Sequence, residues 1–311
     1  MNLPEAFLER LKRIITTDKY DAVLESFCTK KPTTFRANTV KISASDLIKK
    51  LQPQGFEVEA VDWYKDAFIL KNKSQRELTE TDSYKTGELY IQGLSSMIPP
   101  LVLNPQTSES ILDACAAPGS KTTQISSLMN ATGEIIANDR SRVRLYKLAA
   151  NIKLQGATNV RTIYFPAQVL WEKFPQYFDR ALVDVPCSLE GGFQCDYPKS
   201  YGSWSVKKVK QLAEYQKKIL RSAIAATKPG GTIVYSTCTL SPEENEGVID
   251  WILKKESGSV SLAPIDISVE TAPAVLEWNG KTYNPEVEKT VRVLPSNLME
   301  GFFLAKFIKN A

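Results

Sequence analysis

The chain has 311 residues, 43% of them hydrophobic and 24% charged, which fits about two globular domains and excludes a disordered or fibrous protein. Its formal charge is only +4, so a polyanionic partner would have to meet a local patch rather than the molecule as a whole. Histidine is absent, and that zero excludes Ser-His-Asp and Cys-His triads, His-ligated metals and any His general base.

No apolar run reaches the roughly 18 residues of a membrane span, and Met1 to Arg13 lacks a signal-peptide core, so a cytoplasmic protein is expected. The five cysteines, Cys28, Cys115, Cys187, Cys195 and Cys238, are odd in number and contain no Cys-x-x-Cys pair. Neither a disulfide framework nor a metal site is expected from them.

In chain order, Pro4 to Ile15 carries apolar residues at helical spacing and predicts an amphipathic helix. Thr33 to Val40 alternates like a strand, Ser43 to Leu51 reads as a capped helix, and Phe56 to Val61 and Ala67 to Leu70 as short strands. Residues 1–88 therefore predict a small α/β unit, and 89–311 a second domain. In that domain strands at Ile111–Ala114, Gly133–Asn138, Val160–Tyr164, Arg180–Val185 and Thr232–Ser236 alternate with helices. Helices are predicted at Lys121–Met129, Ser141–Leu154, Val206–Thr227 and Glu243–Lys254. Such alternation implies a mostly parallel, doubly wound sheet. Thr290–Leu294 and Gly301–Ile308 predict a closing antiparallel hairpin, for seven strands in all.

Four segments sit where such sheets bind ligands, at the carboxyl ends of strands. Asp113 is followed by Ala114, Cys115, Ala116, Ala117, Pro118, Gly119, Ser120, Lys121 and Thr122, a small-residue loop that lets a ligand approach the backbone. It is neither G-x-G-x-x-G nor a phosphate loop. Asn138-Asp139 ends the next strand, and a carboxylate there can accept both hydroxyls of a ribose. Together, without phosphate machinery, these point to S-adenosylmethionine. Asp184-Val185-Pro186-Cys187-Ser188 and Tyr235-Ser236-Thr237-Cys238-Thr239 each place a cysteine at a strand end, so two thiols, Asp184 and Lys121 should converge on one crevice.

Asp113 to Thr122, Asp184 to Ser188 and Ser236 to Glu246 resemble the signatures of the Nop/Sun-type RNA cytosine carbon-5 methyltransferases. The likeness extends to Arg36-Ala37-Asn38-Thr39, Gln92 to Pro99, Lys228-Pro229-Gly230-Gly231 and Gly301 to Lys306, nearly the whole chain in order. The resemblance implies a Rossmann-type S-adenosylmethionine methyltransferase domain behind a small RNA-recognition-like unit, with tRNA or rRNA as substrate; a monomer is expected. It implies Cys238 as the nucleophile toward cytosine carbon 6 and Cys187 as the group that assists release. Asp184 would hold the base edge and Lys121 act as its electrostatic partner. Cofactor contacts would come from Cys115 to Lys121, Asp139 and Asp184.

Two alternatives differ in one feature each. A DNA-type enzyme would exchange the roles of Cys187 and Cys238, and an inactive RNA-binding or assembly factor would keep the fold without catalysis. Three departures from the family pattern stand out: Ser120 in place of a glycine, Leu189 in place of a glycine, and no acid in Tyr164-Phe165-Pro166-Ala167. Lys199 to Arg221 holds seven cationic residues and one acid, with Tyr201, Trp204 and Tyr215 interleaved, and is a candidate RNA surface. Lys207, Lys208, Lys210, Lys217 and Lys218 would supply its phosphate contacts, with Arg36 and its neighbours as the alternative anchor.

Overall fold

The computed structural model describes residues 2–311, so of the expected N-terminal unit only Met1 lies outside it. Two helices open the chain, α1 (Glu5–Ile14) and α2 (Thr17–Ser26), where one was expected. Their apolar faces join Phe193 and Leu240 of the second domain through Phe7, Leu11, Val23 and Phe27. They therefore pack on the large domain. The small unit proper follows, with β1 (Thr34–Ala37), α3 (Ala44–Leu51), β2 (Val58–Val61), β3 (Tyr64–Leu70), α4 (Gln75–Glu80), α5 (Asp82–Lys85) and β4 (Leu89–Ile91). Its antiparallel sheet runs β2-β3-β1-β4, so β4, beyond the expected limit at 88, is its edge strand. Helix α3 covers one face through Leu47 and Leu51, as its apolar spacing dictates.

The large domain continues with α6 (Leu94–Leu103), β5 (Ser110–Asp113), α7 (Ser120–Leu128), β6 (Glu134–Asn138), α8 (Arg142–Gln155), β7 (Val160–Ile163) and α9 (Leu170–Lys173). Then come β8 (Phe178–Asp184), α10 (Val206–Ala226), β9 (Thr227–Thr237), α11 (Glu246–Lys255) and β10 (Val260–Ala263). A small ribbon, β11 (Glu277–Trp278) and β12 (Lys281–Thr282), precedes the closing strands β13 (Val291–Val293) and β14 (Phe302–Lys309). The sheet order is β10-β14-β9-β8-β5-β6-β7, with β13 on β14, making eight strands against the seven expected. The addition is β10, antiparallel to β14. Its four residues carry too short an alternation to stand out in the sequence.

Strands β5 to β9 pair in parallel, and all but the edge strand β7 are buried on both faces, so alternate residues feed two cores. Leu112, Ile136, Val183 and Ile233 meet α10 and α11 on one side. Ile111, Ile135, Leu182 and Val234 meet α6 and α7 on the other. Strand order reverses at β5, which lies between β6 and β8, and a crevice opens there at the carboxyl ends.

Two expectations are corrected here. Cys28 and Cys195, 167 residues apart, form a disulfide joining the end of α2 to the loop after Cys187, although no disulfide was expected. Packing of Phe7 against Phe27 and Phe193 brings their neighbours together, and the Cys195 amide donates to the Phe27 carbonyl at 3.0 Å. Sequence spacing carried no sign of that contact. Arg36 is no exposed anchor either: it is fully buried, donating to Gln92 Oε1 at 2.9 Å and to Thr123 Oγ1 at 2.9 Å. With Asn38, which donates to the Gly87 and Gln155 carbonyls, it clamps the small sheet against the start of α7 and the end of α8.

Candidate active site

The loop after β5 is drawn against its neighbours by backbone bonds, Ala114 N to Leu182 O at 2.9 Å and Ala116 N to Asn138 O at 2.7 Å. The buried Asn138 side chain donates to the Ala114 carbonyl and accepts from the Phe165 amide, tying three strand ends together. Gly119 caps α7 at φ 111°, and a Cβ there would lie 2.8 Å from Leu148. Glycine is required at that point. Ser120 next to it is already helical, which explains why a non-glycine residue is accommodated. Leu189 differs: it holds φ 64° in the left-handed region two residues after Cys187, where a glycine would carry no steric penalty.

Asp139 lies 2% exposed at the end of β6, with Oδ1 accepting from the Ser141 amide at 2.8 Å. Arg144 approaches its Oδ2 to 3.2 Å and donates to the Ala117 carbonyl. Oδ2 itself has no hydrogen-bond partner. Cys115, Asp139, Arg140, Arg144, Pro186 and Tyr215 enclose only about 10 Å³. Burial pushes the Cys115 thiol far up, so this cysteine is a lining group rather than a nucleophile.

At the ends of β8 and β9 the other two thiols meet, Cys187 Sγ and Cys238 Sγ standing 3.4 Å apart. Lys121 Nζ lies 2.7 Å from Asp184 Oδ2 and 2.9 Å from Ser96 Oγ, while Ser236 donates to Asp184 Oδ1 at 2.7 Å. Burial lowers the Lys121 pKa, but Asp184 beside it outweighs this and holds it above the usual lysine value. The hydrogen bond to Cys238 and burial push the Cys187 thiol well up. Cys187, Cys238, Asp184 and Lys121 are thus brought together in one crevice beside the Cys115–Lys121 loop.

Other residues brace this crevice without a signal of their own in the sequence. The buried Glu190 carboxylate accepts from Trp204 Nε1, Thr239 Oγ1, the Leu240 amide and Ser241 Oγ at 2.6 to 3.1 Å. It joins the segment after Cys187 to the segment after Cys238. Trp204 is consequently a partly buried wall of this cluster, with its indole N–H spent on Glu190. Tyr201 packs there too, and Lys217 pairs with Glu214 at 2.5 Å, while Lys207, Lys210 and Lys218 stay exposed.

Glu244 Oε2 accepts from the Ser188 amide at 3.1 Å and from Gln216 Nε2 at 2.7 Å, whereas Oε1 is buried without a partner. Burial raises its pKa from 4.5 to about 8. Folding therefore keeps a proton that the unfolded chain loses above pH 4.5, and stability falls as pH rises from there through about 8. Glu244→Gln is expected to remove this slope. Its melting temperature should exceed wild type at pH 8 and converge with it near pH 4.5; parallel curves would refute the protonated carboxyl.

Residues 100–308 match the family described as 16S rRNA methyltransferase RsmB/F, and residues 3–93 match the N-terminal domain of 16S rRNA methyltransferase RsmF. The chain is 39% identical to the tRNA (cytosine(49)-C(5))-methyltransferase of Pyrococcus abyssi, over 88% of this chain and 87% of that one. It is 35% identical to ribosomal RNA small subunit methyltransferase F of Escherichia coli (strain K12), covering 98% of this chain and 63% of that one. A solved methyltransferase homolog protein from Pyrococcus horikoshii superposes with a TM-score of 0.81 at 33% identity, covering 99% of this chain and all of that one. With two thiols, an ion pair and a cofactor-type loop assembled at the switch point of this fold, the chain belongs to the RsmB/F family of RNA methyltransferases.

Proposed function

We propose that this chain transfers a methyl group from S-adenosylmethionine to carbon 5 of cytosine in RNA, through a covalent adduct on Cys238. The observation that carries the reading is the thiol pair, 3.4 Å apart beside the Lys121–Asp184 ion pair. Relatives named for tRNA and for ribosomal RNA both support RNA as the substrate class.

The chemistry of the residues present suits the cofactor, and the cavity of about 10 Å³ beside Asp139 must widen to admit it. Asp139 offers a buried acceptor oxygen with no hydrogen-bond partner, suited to a ribose hydroxyl, and Cys115 to Lys121 supply a backbone wall with little side-chain bulk. Asp184 would face the reacting end. S-adenosylmethionine, when bound, supplies an electrophilic methyl group. Arg144 guards the same oxygen, so an entering ribose must share or displace that guanidinium. Asp139→Ala is expected to weaken cofactor binding at least tenfold, about 1.4 kcal/mol by calorimetry; unchanged affinity would remove the ribose assignment.

Carbon 5 of cytosine is a poor nucleophile, so the chain must first raise its electron density. The Cys238 sulfur, as thiolate, adds to carbon 6, and the electron pair of the 5,6 double bond moves into the ring. Lys121, its side chain 11% exposed, is the cation of this crevice and pairs with Asp184. Asp184, anchored by Lys121 and Ser236, is placed to hold the base edge while a ring nitrogen takes up a proton from solvent, which it returns when the bond to Cys238 breaks. Once carbon 5 has used that electron pair to take the methyl group, loss of the carbon 5 proton to solvent re-forms the 5,6 double bond and expels the Cys238 sulfur from carbon 6 as thiolate. Cys187, kept protonated by burial and its contact with Cys238, can donate its S–H to the departing sulfur.

The test is incubation with labelled S-adenosylmethionine and, separately, tRNA, rRNA and DNA, followed by nucleoside mass spectrometry. 5-Methylcytidine from one of the RNAs is the expected product. Label confined to DNA, or placed on another atom, overturns the reading.

A further inference from the structure

Between Asp139 and Glu172 the chain carries six cationic residues, Arg140, Arg142, Arg144, Lys147, Lys153 and Arg161, and no acidic one. Three of them, Arg140, Arg142 and Arg144, lie at or just before the start of α8, where the helix dipole disfavours positive charge, and Lys147, the fourth, follows one turn on. Fold stability does not account for this bias. Arg140, Arg142 and Lys147 are exposed, and of these four cations only Arg144 meets a carboxylate.

The same surface exposes large apolar groups, Val143 at 70%, Tyr146 at 78% and Tyr164 at 54%. Arg142 lies over the Tyr164 ring at 5.0 Å, and Arg140 over Tyr215 at 4.8 Å. Cation and ring faces therefore alternate along the patch. Its inner end reaches the crevice, because Arg140 and Tyr215 line the cavity shared by Asp139, Cys115 and Pro186, the residue before Cys187.

We propose that Arg140, Arg142, Tyr146, Lys147 and Tyr164 hold a single-stranded RNA segment flanking the target cytosine, with phosphates on the cations and bases on the two tyrosines. The inference rests on the RNA methyltransferase reading and adds to it the side of the crevice from which the RNA enters. Charge complementarity selects a polyanion, and the exposed rings select one with free base faces, which a duplex lacks. Attack at carbon 6 also requires the target base outside a stack. The competing surface on α10 offers Lys207, Lys210 and Lys218 but no comparable free ring, since Trp204 is bound to Glu190.

Three full-length variants, Arg142→Ala with Tyr146→Ala, Tyr146→Ala alone, and Arg142→Lys, are compared with wild type by fluorescence anisotropy on a short labelled single-stranded RNA and on its duplex. The double variant should lose at least tenfold in single-strand affinity, and its logarithmic salt slope should fall by about 0.7 for the lost phosphate contact. Tyr146→Ala should lose affinity at an unchanged slope, and Arg142→Lys should keep the slope. Melting temperature and S-adenosylhomocysteine affinity should match wild type in all three. Unchanged single-strand affinity and slope in the double variant overturns the proposal, as does an equal loss on the duplex. Methylation is assayed separately: RNA binding through this patch by a wild-type protein that methylates no RNA would sink the enzyme reading and leave the surface standing.

Discussion

Replacing Cys238 with alanine is expected to abolish methylation and leave no protein–RNA species on a denaturing gel, whereas Cys187→Ala should accumulate one. The two thiols are 3.4 Å apart, so proximity alone does not assign their roles. Their surroundings do differ. Cys187 is buried and its thiol is pushed up, while Cys238 is half-buried in the same crevice as the Lys121 cation. The more accessible sulfur is the better nucleophile, and the buried one the better holder of a proton. Without Cys238 the bond to carbon 6 never forms. Without Cys187 it forms, but the departing sulfur has no S–H beside it, and the adduct persists. An adduct in the Cys238 variant and none in the Cys187 variant would install the DNA-type assignment instead.

The parts of the site legible in the sequence are those where chemistry and strand ends coincide. Cys187, Cys238, Asp184 and Lys121 lie where a parallel sheet presents its ligand edge, and the alternation of strands and helices sufficed to place that edge. The bracing shell was not legible. Glu190, Gln216 and Arg292 are ordinary polar residues in the sequence, and only burial with partners 2.5 to 2.9 Å away reveals their work. Polar groups at near-zero exposure are tolerated only when bonded, so the run from Thr237 to Glu246 keeps its shape through such contacts. On α10 and the loop before it, Lys217 and Trp204 spend their polar ends on Glu214 and Glu190, while Lys207, Lys210 and Lys218 stay exposed. Charge counting passed over α8, where Arg142 and Lys147 are exposed and only Arg144 of the first turns meets a carboxylate, because no long stretch of lysines marks them.

The buried ion pair of Arg292 and Glu246 tests whether that shell is structural or catalytic in effect. Arg292, on β13, donates from Nε and Nη2 to the two Glu246 oxygens at 2.5 Å each and from Nη1 to the Leu240 carbonyl at 2.9 Å. Both side chains are at most 1% exposed. Truncating one partner leaves a buried charge uncompensated, a loss of about 3–5 kcal/mol, against a total stability of about 5–15 kcal/mol. Arg292→Ala should therefore lower the melting temperature by on the order of 10 °C. Arg292→Lys keeps the charge but not the fork, and should fall between the two. Replacing both partners, Arg292→Met with Glu246→Leu, removes the stranded charge and should recover most of the stability. It should not recover activity, because the Leu240 carbonyl, two residues after Cys238, loses its donor and the nucleophile its fixed position. A double variant restored in both melting temperature and turnover would show that the pair serves the fold alone. A single Arg292→Ala variant melting within about 2 °C of wild type would show that the charge is not buried in the sense its exposure implies.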